Sequence, residues 1–429
     1  MHASQSGWWL VVGGRFALLL GVVLGISTIT GRAQAPAQNA TLFTGARIVV
    51  GDGRAIENGA FIVDNGRFTW VGPAGEAKIT AGAARVDLTG KTVIPALIDT
   101  HVHLRADRAA LIEDLERRAY YGVGAAMSLG QDVGTVPLQI RGETLPNAVR
   151  FRSAGRGITA PEPGRTEIPF WITSEEQARK AVQELAAAKV DIVKIWVDDR
   201  DGKYTKLTPA LYGAVIDEAH RRGLRVTAHI FTLEDGKGLL RAGLDAFAHG
   251  VRDKDIDDEF AAMMKQRPNV VLVPNLPDRG VATDLSWLRD SIPAGELQKL
   301  QAAATDRPAV QPAFAIQARN LARLAKQGVR IAVGTDGNTP WGMHLEMADM
   351  VAAGMTPAQV LVAATRNGAD LLLLKDAGTV DAGKSADFVV LDANPLDAIT
   401  NTRRISAVYL RGAPVDRASL RGRAIGQAK

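Results

Sequence analysis

The chain has 429 residues, of which 46% are hydrophobic and 23% charged; this composition is ordinary for a globular protein and excludes extensive disorder. Its formal net charge is +5, and no basic run is interleaved with aromatic residues, so we expect no nucleic-acid partner. The chain contains no cysteine, which excludes disulfides and thiolate metal ligands and leaves nitrogen and oxygen ligands for any metal.

Residues 1–37 are predicted to be a secretory signal peptide. Arg15 precedes an apolar stretch of about 14 residues, a length typical of signal cores and short for a membrane span. An alanine-proline-alanine pattern at residues 35–37 fits a cleavage site with release after Ala37. The alternative is an uncleaved anchor that includes the apolar residues further upstream. With cleavage, we expect a periplasmic or secreted protein that has no membrane partner.

Residues 38–94 and 376–429 are predicted to form one small β-sandwich domain. The first segment contains short apolar runs separated by glycine-rich turns, as in FTGARIVVGDG and AFIVDNGRFTWVG, which indicate β-hairpins. The far end repeats the alternation of apolar and polar residues in DAGKSADFVVLDANP and ISAVYLRGAPVD. Because both ends read as β structure around a different central pattern, we expect them to pair with each other.

Residues 95–375 alternate between buried strands and amphipathic helices, the pattern of parallel βα units. Helices are predicted over 174–188, with Ser174 as the cap, and over 209–222. The candidate strands are VIPALID, GVGAAMSL, AVRFRSAG, DIVKIWV, RVTAHI, AFAHG, VVLVPNL and RIAVGTD. Eight such strands predict an α/β fold of the (β/α)8 TIM-barrel type. The polar, mostly helical segment 279–326 has no assigned role.

Polar side chains that could hold a metal follow several of these strands, at the barrel face where active sites lie. His101 and His103 are separated by one residue, so both point to the same side of an extended chain. Lys194 lies within an apolar strand, where an unpaired ammonium is costly to desolvate. A single histidine is more often a packing residue than a ligand, but most of the 7 histidines in the chain occur on this face. The candidate ligands are His101, His103, Lys194, His229, His249 and Asp336.

The motifs around these residues resemble those of the amidohydrolase superfamily: PALIDTHVH, VKIW, VTAHI, AFAHG and GTDG. Within it, AHRRGLRVTAHI, AGLDAFAHG and AAGMTPAQVLVAATRNGADLL are similar to the imidazolonepropionase-like branch, which includes prolidases. The resemblance covers nearly all of the chain after the signal peptide. It implies a metal-dependent hydrolase with a TIM barrel and a split β-sandwich, in agreement with the pattern of the two chain ends.

The resemblance also implies a binuclear metal centre. It assigns the first metal to His101, His103 and Asp336, and the second to His229 and His249. Lys194, carboxylated by CO2 to N6-carboxylysine, would bridge two divalent ions such as Zn2+, because the carbamate converts a buried cation into an anionic ligand. A hydroxide between the metals would attack the substrate carbonyl, and Asp336 would be the catalytic residue that transfers the proton. The alternative is an unmodified Lys194 and a single metal.

The expected substrate is a small molecule with an amide bond, either peptide-like or that of an N-acyl amino acid. The same site could attack an ester, lactone, carbamate or phosphotriester, because the ligands do not distinguish these centres. A noncatalytic relative used for protein interaction is the alternative from another class, although such a protein would be expected to have lost ligands. We also expect a homo-oligomer.

The substrate-binding residues are not identified by the sequence. After strand three, SAGRGITAPEPGR lacks the Gly-Gly-His element of many relatives. Arg156 or Arg165 could pair with a substrate carboxylate, and an ordinary loop arginine is the alternative for each. His344 could line the pocket or orient a ligand, or could lie on a helix surface. His220 is expected on the outside of the barrel, whereas Trp196 and Tyr204 could shape the pocket.

Overall fold

The computed structural model describes residues 40–78 and 83–426. The predicted signal peptide at residues 1–37 lies outside the described residues. Residues 40–78 and 83–426 all belong to one structural unit, Asn39–Lys429. Within the part of the chain that the structure describes, no helix is both long and apolar enough to cross a membrane.

The secondary structure alternates between strands and helices through most of the chain. In chain order the strands are β1 (Thr41–Val49), β2 (Ala55–Asp64), β3 (Arg67–Pro73), β4 (Ala84–Asp87), β5 (Thr92–Pro95), β6 (Leu97–Val102), β7 (Val123–Ser128), β8 (Arg150–Ser153), β9 (Ile158–Thr159), β10 (Phe170–Trp171), β11 (Val193–Val197), β12 (Val226–Ile230), β13 (Ala246–Ala248), β14 (Val271–Val273), β15 (Arg330–Ile331), β16 (Phe388–Leu391), β17 (Ile405–Leu410) and β18 (Ala413–Pro414). The helices are α1 (Arg108–Tyr120), α2 (Val136–Ile140), α3 (Glu175–Ala187), α4 (Pro209–Arg221), α5 (Leu233–Ala242), α6 (Asp258–Lys265), α7 (Ala294–Ala303), α8 (Gln311–Lys326), α9 (Gly342–Ala352), α10 (Pro357–Val362), α11 (Gly368–Leu371) and α12 (Arg417–Gly426).

One sheet joins strands from both ends of the described chain. Its strand order is β18-β17-β16-β5-β1-β2-β3, and β4 pairs with β1. The junction between the two ends is the antiparallel pairing of β16 with β5, in which Phe388 lies opposite Pro95. The sheet buries a cluster of aromatic rings, in which Phe43 stacks on Phe61 at 4.8 Å and Phe388 stacks on Tyr409 at 4.5 Å between centroids. Offset and edge-on aromatic contacts of this kind stabilise a small core beyond the area they bury.

The central segment forms two parallel sheets. The first has the order β6-β7-β8 and the second the order β10-β9-β11-β12-β13-β14-β15. Backbone hydrogen bonds connect them: the amide of Thr100 donates to the carbonyl of Val333 at 2.9 Å, and that of Asp191 donates to Ser153 at 2.9 Å. Because the strands are parallel, their carboxyl ends lie on one side, where the loops after β6, β11, β12, β13 and β15 meet.

The strand predicted over VIPALID is divided in the structure. Its first part belongs to β5 in the end-to-end sheet, and its second part belongs to β6 in a parallel sheet. Pro95 ends β5 because proline has no amide hydrogen for the sheet. The amide of Ala96 then donates to the carbonyl of Asp387 at 2.9 Å, so the chain passes from one sheet to the other within a few residues.

The two helices predicted most clearly are α3, which is one residue shorter than predicted at each end, and α4, which is one residue shorter at its carboxyl end. The Ser174 hydroxyl accepts a hydrogen bond from the amide of Gln177, as expected for a cap. The segment of unassigned role, 279–326, contains α7 and α8. Leu288, which precedes α7, is fully buried in a cluster with Tyr121 and Trp341, so this segment covers part of the central domain.

Candidate metal centre

Asp336 is the centre of a cluster of histidines contributed by three strands or their loops. Its Oδ1 atom lies 3.1 Å from His101 Nε2 and 3.0 Å from His103 Nε2. Its Oδ2 atom lies 3.3 Å from His249 Nε2. Ligand atoms of His101, His249 and Asp336 all lie within 4.8 Å of one another, a spacing that one metal ion could span.

The other two predicted ligands adjoin this group. Lys194, in β11, is fully buried, and its Nζ atom lies 3.5 Å from His101 Nε2. His229, at the end of β12, has its ring centroid 4.4 Å from that of His249. The structure therefore brings all six residues that the sequence singled out into one connected cluster.

The backbone around the cluster is strained. Asp336 has a φ of 51°, Asn275 a φ of 43° and His249 a φ of 143°. Positive φ is uncommon for residues with a side chain, and a value such as that of His249 is costly without support from its surroundings. The amide of Asp336 donates to the carbonyl of His101 at 2.7 Å, which helps to hold the turn in place. Strain of this kind is typical of functional sites.

Burial favours the neutral form of His101, His229 and His249. It lowers the pKa of His101 to about 4 and that of His229 to about 3, and it lowers the pKa of His249 well below its usual value. Burial alone would raise the pKa of Asp336, but the neighbouring histidines outweigh it and hold the pKa of this carboxyl below its ordinary range. At neutral pH the carboxylate of Asp336 therefore lies among the neutral imidazoles of His101, His229 and His249, the protonation states that metal binding requires.

Two polar residues select which ring nitrogen of a histidine carries the hydrogen. The Nδ1 of His101 lies 2.9 Å from Asn275 Oδ1, so it donates to that oxygen and leaves a lone pair on Nε2. The Nε2 of His229 lies 2.8 Å from Asp198 Oδ2 and leaves a lone pair on Nδ1. Burial opposes ionisation of Asp198, but its bonds with His229 and Arg200 prevail and lower its pKa.

The turn that carries Asp336 is held from two sides. Thr335 donates from its hydroxyl to Asp99 Oδ2 at 2.8 Å and from its amide to Asp99 Oδ1 at 3.1 Å. Arg118, a fully buried residue of α1, donates from Nη2 to the carbonyl of Gly337 at 3.0 Å. Burial raises the pKa of Asp99 to about 6, and the Arg118 charge opposes that rise.

Sequence reasoning did not identify Asp198, Asn275, Arg200 or Arg252 as residues of this site. Asp198 directly follows the apolar run of β11, and Asn275 follows the run of β14 by one proline. The signal that could have found both is their position at the carboxyl ends of predicted strands, the same criterion that selected the histidines.

Several residues considered from the sequence have other roles. His344 is buried with its Nδ1 3.0 Å from the Thr402 hydroxyl and its Nε2 3.0 Å from the carbonyl of Tyr121. Both ring nitrogens are therefore occupied by residues that are not proposed ligands, and the buried ring neither orients a ligand nor lies on a helix surface. His220 pairs with Asp245 at 2.9 Å on the outer side of α4, as expected.

The candidate carboxylate-binding arginines are also occupied. The Arg156 guanidinium lies 4.0 Å from the ring centroid of Phe170, and its Nε donates to the carbonyl of Ile168. Arg165 pairs with Glu162 at 2.5 Å. Both arginines therefore stabilise the loop after β9.

The two aromatic residues considered near the pocket differ in their surroundings. The buried indole of Trp196 has the Nζ atom of Lys194 5.3 Å from its ring centroid. The hydroxyl of Tyr204 donates to the carbonyl of Pro163 at 3.2 Å, in an exposed contact between loops. Trp196 thus packs directly against one proposed ligand, whereas Tyr204 stabilises a loop.

Known proteins resemble this chain over most of its length. A sequence model of the amidohydrolase family matches residues 92–415. Imidazolonepropionase from Deinococcus radiodurans is 26% identical over 392 residues, which are 85% of this chain and 94% of that protein. A crystal structure of a candidate prolidase from Bifidobacterium longum has a TM-score of 0.72 and 28% identity, covering 91% of this chain and all of that chain. A Xaa-Pro dipeptidase solved with methionine in its active site has a TM-score of 0.70 and 20% identity, covering 88% of this chain and 99% of that chain. At this identity, the comparison shows a similar fold.

Proposed function

This chain belongs to the amidohydrolase family and is a hydrolase of carbon–nitrogen bonds, and on that basis we propose that it uses divalent metal ions to cleave a peptide-like amide or an N-acyl amino acid. The observation that carries the proposal is the cluster itself. The ionised carboxylate of Asp336 contacts His101, His103 and His249, and the pKa of His101 and that of His249 are both lowered by burial. A set of imidazoles around a carboxylate, with His101 and His249 held neutral, suits a divalent cation.

We propose that the central strands β6, β7, β8 and β11 to β15 close into a TIM barrel and that the two chain ends form a small β-sandwich beside it. The backbone hydrogen bonds between the two parallel sheets support closure, and the pairing of β5 with β16 supports a domain made from both ends. The proposed boundaries are 38–94 and 376–429 for the sandwich and 95–375 for the barrel.

The arrangement around His101 supports a cation at the centre. With Nδ1 donating to Asn275, Nε2 carries a lone pair, and that lone pair lies 3.1 Å from a carboxylate oxygen of Asp336. Two acceptors at this distance repel each other unless a positive charge lies between them. The Nδ1 of His249, which is buried, has no hydrogen-bond partner among residues 40–78 and 83–426. We propose that His101, His103 and Asp336 hold one ion and that His229 and His249 hold a second.

The environment of Lys194 supports its modification. Burial lowers its pKa to about 7, although the Asp336 charge opposes this, so a large fraction of the amine is neutral at physiological pH. A neutral amine can attack CO2: a nitrogen–carbon bond forms, one proton leaves the nitrogen, and an anionic carbamate results. That anion would match the charge of two bridged cations. The alternative is an unmodified lysine beside a single ion.

The bound ions would supply a Lewis acid for the substrate carbonyl and a lowered pKa for a water molecule. Within the chain, the ionised Asp336 is placed to accept a proton from the attacking water and to deliver it to the leaving nitrogen. Asn275 and Asp198 hold the rings of His101 and His229 in one tautomer throughout. The same groups could attack an ester, lactone, carbamate or phosphotriester, which is the alternative substrate class. A noncatalytic interaction protein is the alternative from another class, and it would show no hydrolysis after metal is added.

The first experiment is metal content per subunit, measured by elemental analysis on protein purified in bicarbonate. Wild type is compared with Lys194→Ala and with His220→Asn, a control on the outer side of α4. We expect about two divalent ions per subunit in wild type and in the control. Lys194→Ala should lose both the bound metal and the amide hydrolysis. One ion retained in Lys194→Ala would contradict the bridged centre, and no bound metal in active wild type would contradict the proposal altogether.

The proposed location and assembly are tested separately. We propose that residues 1–37 direct export to the periplasm or medium and are removed, which mass determination of the exported protein would check. A homo-oligomer is also proposed, and light scattering on the purified protein measures its mass directly. Retention of the protein in the cytoplasm would contradict the proposed export. A monomer at micromolar concentration would contradict the proposed homo-oligomer.

A further inference from the structure

Arg252 connects the two loops that carry the second pair of histidines. It follows His249 by three residues, and its amide donates to the carbonyl of Phe231 at 2.9 Å. Phe231 in turn lies two residues after His229, at the end of β12. The backbone of Arg252 is therefore fixed at the mouth of the candidate metal centre.

The side chain of Arg252 has no anionic partner. Its Nε atom is buried without a hydrogen-bond partner, and within the described residues no carboxylate lies within 4.0 Å of the guanidinium. Arg252 is half-buried, and a cation without a direct partner in such a place is costly, because its charge loses part of its hydration and forms no hydrogen bond or ion pair in exchange. The burial of the side chain lowers the pKa of Arg252, which is the sign of that cost.

The guanidinium is close enough to the cluster for its charge to act on it. Its charge lowers the pKa of Lys194, of His229 and of His249. The charges of Asp336 and Asp198 offset it only in part, because Asp336 contacts three histidines and Asp198 contacts His229 and Arg200. Two bound divalent ions would make this space still more positive.

Other arginines around the centre each have at least one side-chain partner in the chain, although Arg200 Nη2 and Arg118 Nε are themselves buried without a hydrogen bond. Arg200 donates from Nη1 to Asp198 at 2.7 Å and from Nε to Glu162 at 3.1 Å. Arg118 donates to the carbonyl of Gly337, and Arg156 stacks on an aromatic ring. Arg252 differs from them because, within the described residues, its guanidinium has no side-chain hydrogen bond, ion pair or aromatic contact, so its donors are left for a group that the chain does not supply.

We propose that Arg252 binds the carboxylate of the substrate, so that the enzyme selects amides that carry a free carboxylate. This inference rests on the proposed amide hydrolysis and adds the group that the substrate must have. A carboxylate matches the guanidinium in charge and can accept two parallel hydrogen bonds from it. Its arrival neutralises the half-buried cation, so the cost of keeping Arg252 unpaired in the free enzyme is recovered in the complex.

The test compares carboxylates with their neutral carboxamides. Glycyl-L-proline and N-acetyl-L-methionine are assayed beside the corresponding carboxamides, on metal-loaded wild type, Arg252→Lys and Arg252→Met. We expect Arg252→Met to lower kcat/KM for the carboxylates by about 10- to 100-fold and for the carboxamides far less. Arg252→Lys should restore part of the preference, because it retains the charge without the bidentate geometry. Arg222→Met is the matched control, because Arg222 caps the carboxyl end of α4 and pairs with Glu218.

Binding is measured independently of turnover. Calorimetry with L-methionine and L-methioninamide on the same variants should show that wild type prefers the carboxylate and that Arg252→Met does not. Metal content and thermal unfolding verify that each variant is loaded and folded. If wild type hydrolyses no amide but shows this binding preference and Arg252→Met loses it, the proposed function fails and the role of Arg252 stands. Equal losses for carboxylates and carboxamides, or unchanged L-methionine binding in Arg252→Met, would overturn the inference.

Discussion

The carboxylate of Asp336 determines the character of the candidate metal centre. It contacts three imidazoles, two from the end of β6 and one that follows β13, and it sits in a turn with a positive φ of 51°. Aspartate tolerates this backbone conformation better than most residues, which is one physical reason for its presence there. An aspartate at this position thus suits the positive φ of the turn, contacts the histidines and can accept the proton in the proposed reaction.

Replacing Asp336 by asparagine tests these roles together. The Asp336→Asn variant keeps the size and the tolerance of positive φ but removes the charge and the proton acceptor. We expect kcat for a cleaved amide to fall by about 100- to 10,000-fold, the range of a general acid–base residue. Steady-state rates are compared with those of Asp290→Asn, an exposed aspartate outside the cluster. Activity of Asp336→Asn within threefold of wild type would show that another group transfers the proton.

Asp198 gives a prediction about metal affinity. Its carboxylate fixes the tautomer of His229 at 2.8 Å, so the Asp198→Asn variant should bind metal about 10- to 100-fold more weakly. Competition with a chelating dye measures this affinity. Asp199→Asn, the adjacent position, is the control. An unchanged affinity in Asp198→Asn would mean that the ring of His229 is held by other contacts.

The candidate metal ligands could be predicted from the sequence, whereas the residues that surround and orient them could not. Histidines after apolar runs and a lysine within one are detectable, because burial makes such residues conspicuous in a pattern. Asp198, Asn275 and Arg252 are single polar residues in loops, where no periodicity separates a functional residue from a solvated one. Arg156 and Arg165 were considered as ligands of a substrate carboxylate, but in the structure Arg156 stacks on Phe170 and Arg165 pairs with Glu162. The sequence does not show such partners.

At the scale of elements, most strands and the two clearest helices lie where the sequence predicted them. Apolar β-branched runs identify buried parallel strands, and caps such as Ser174 identify helix starts. The division at Pro95 was not anticipated, because β5 and β6 are both apolar and the change of sheet depends on a partner strand about 290 residues further along the chain. Local patterns do not contain that information.

Helix α9 carries a prediction about pH. Burial lowers the pKa of His344 to about 4, so between about pH 6.5 and 4 the unfolded chain binds a proton that the folded chain does not. Stability from this residue is therefore complete above pH 6.5 and decreases as the pH falls towards 4, by on the order of 3 kcal/mol. The His344→Gln variant should show a shallower decrease in unfolding free energy over this range, measured by urea denaturation. Parallel curves for the variant and wild type would contradict it.

At the scale of the whole molecule, metal binding should contribute to stability. The proposed ligands come from β6, β11, β12, β13 and the loop after β15, so bound ions would link strands far apart in sequence. Ligands that bind only the folded state stabilise it, by about 3 kcal/mol when they are present at 100 times Kd. We therefore expect chelation to lower Tm by a few °C and to abolish activity.

Zinc added with bicarbonate should restore both Tm and activity after chelation, and zinc without bicarbonate should restore less. Differential scanning calorimetry and an amide assay on the same samples provide the measurement. If chelation leaves Tm unchanged while all metal is lost, the ions do not link the strands in the way proposed. Full recovery in CO2-free buffer would argue against the carbamate on Lys194.

The pairing of β5 with β16 has a consequence for how the protein is made. The two strands are separated by roughly 300 residues, so a ribosome that adds about 5 to 20 residues per second needs on the order of 15 to 60 seconds to supply the second strand after the first. Throughout that time the edge of β5 that β16 will cover has no partner, and an open strand edge is a site of aggregation. The nascent chain therefore depends on being shielded until its last segment emerges, and the sheet can be completed only after synthesis has nearly ended.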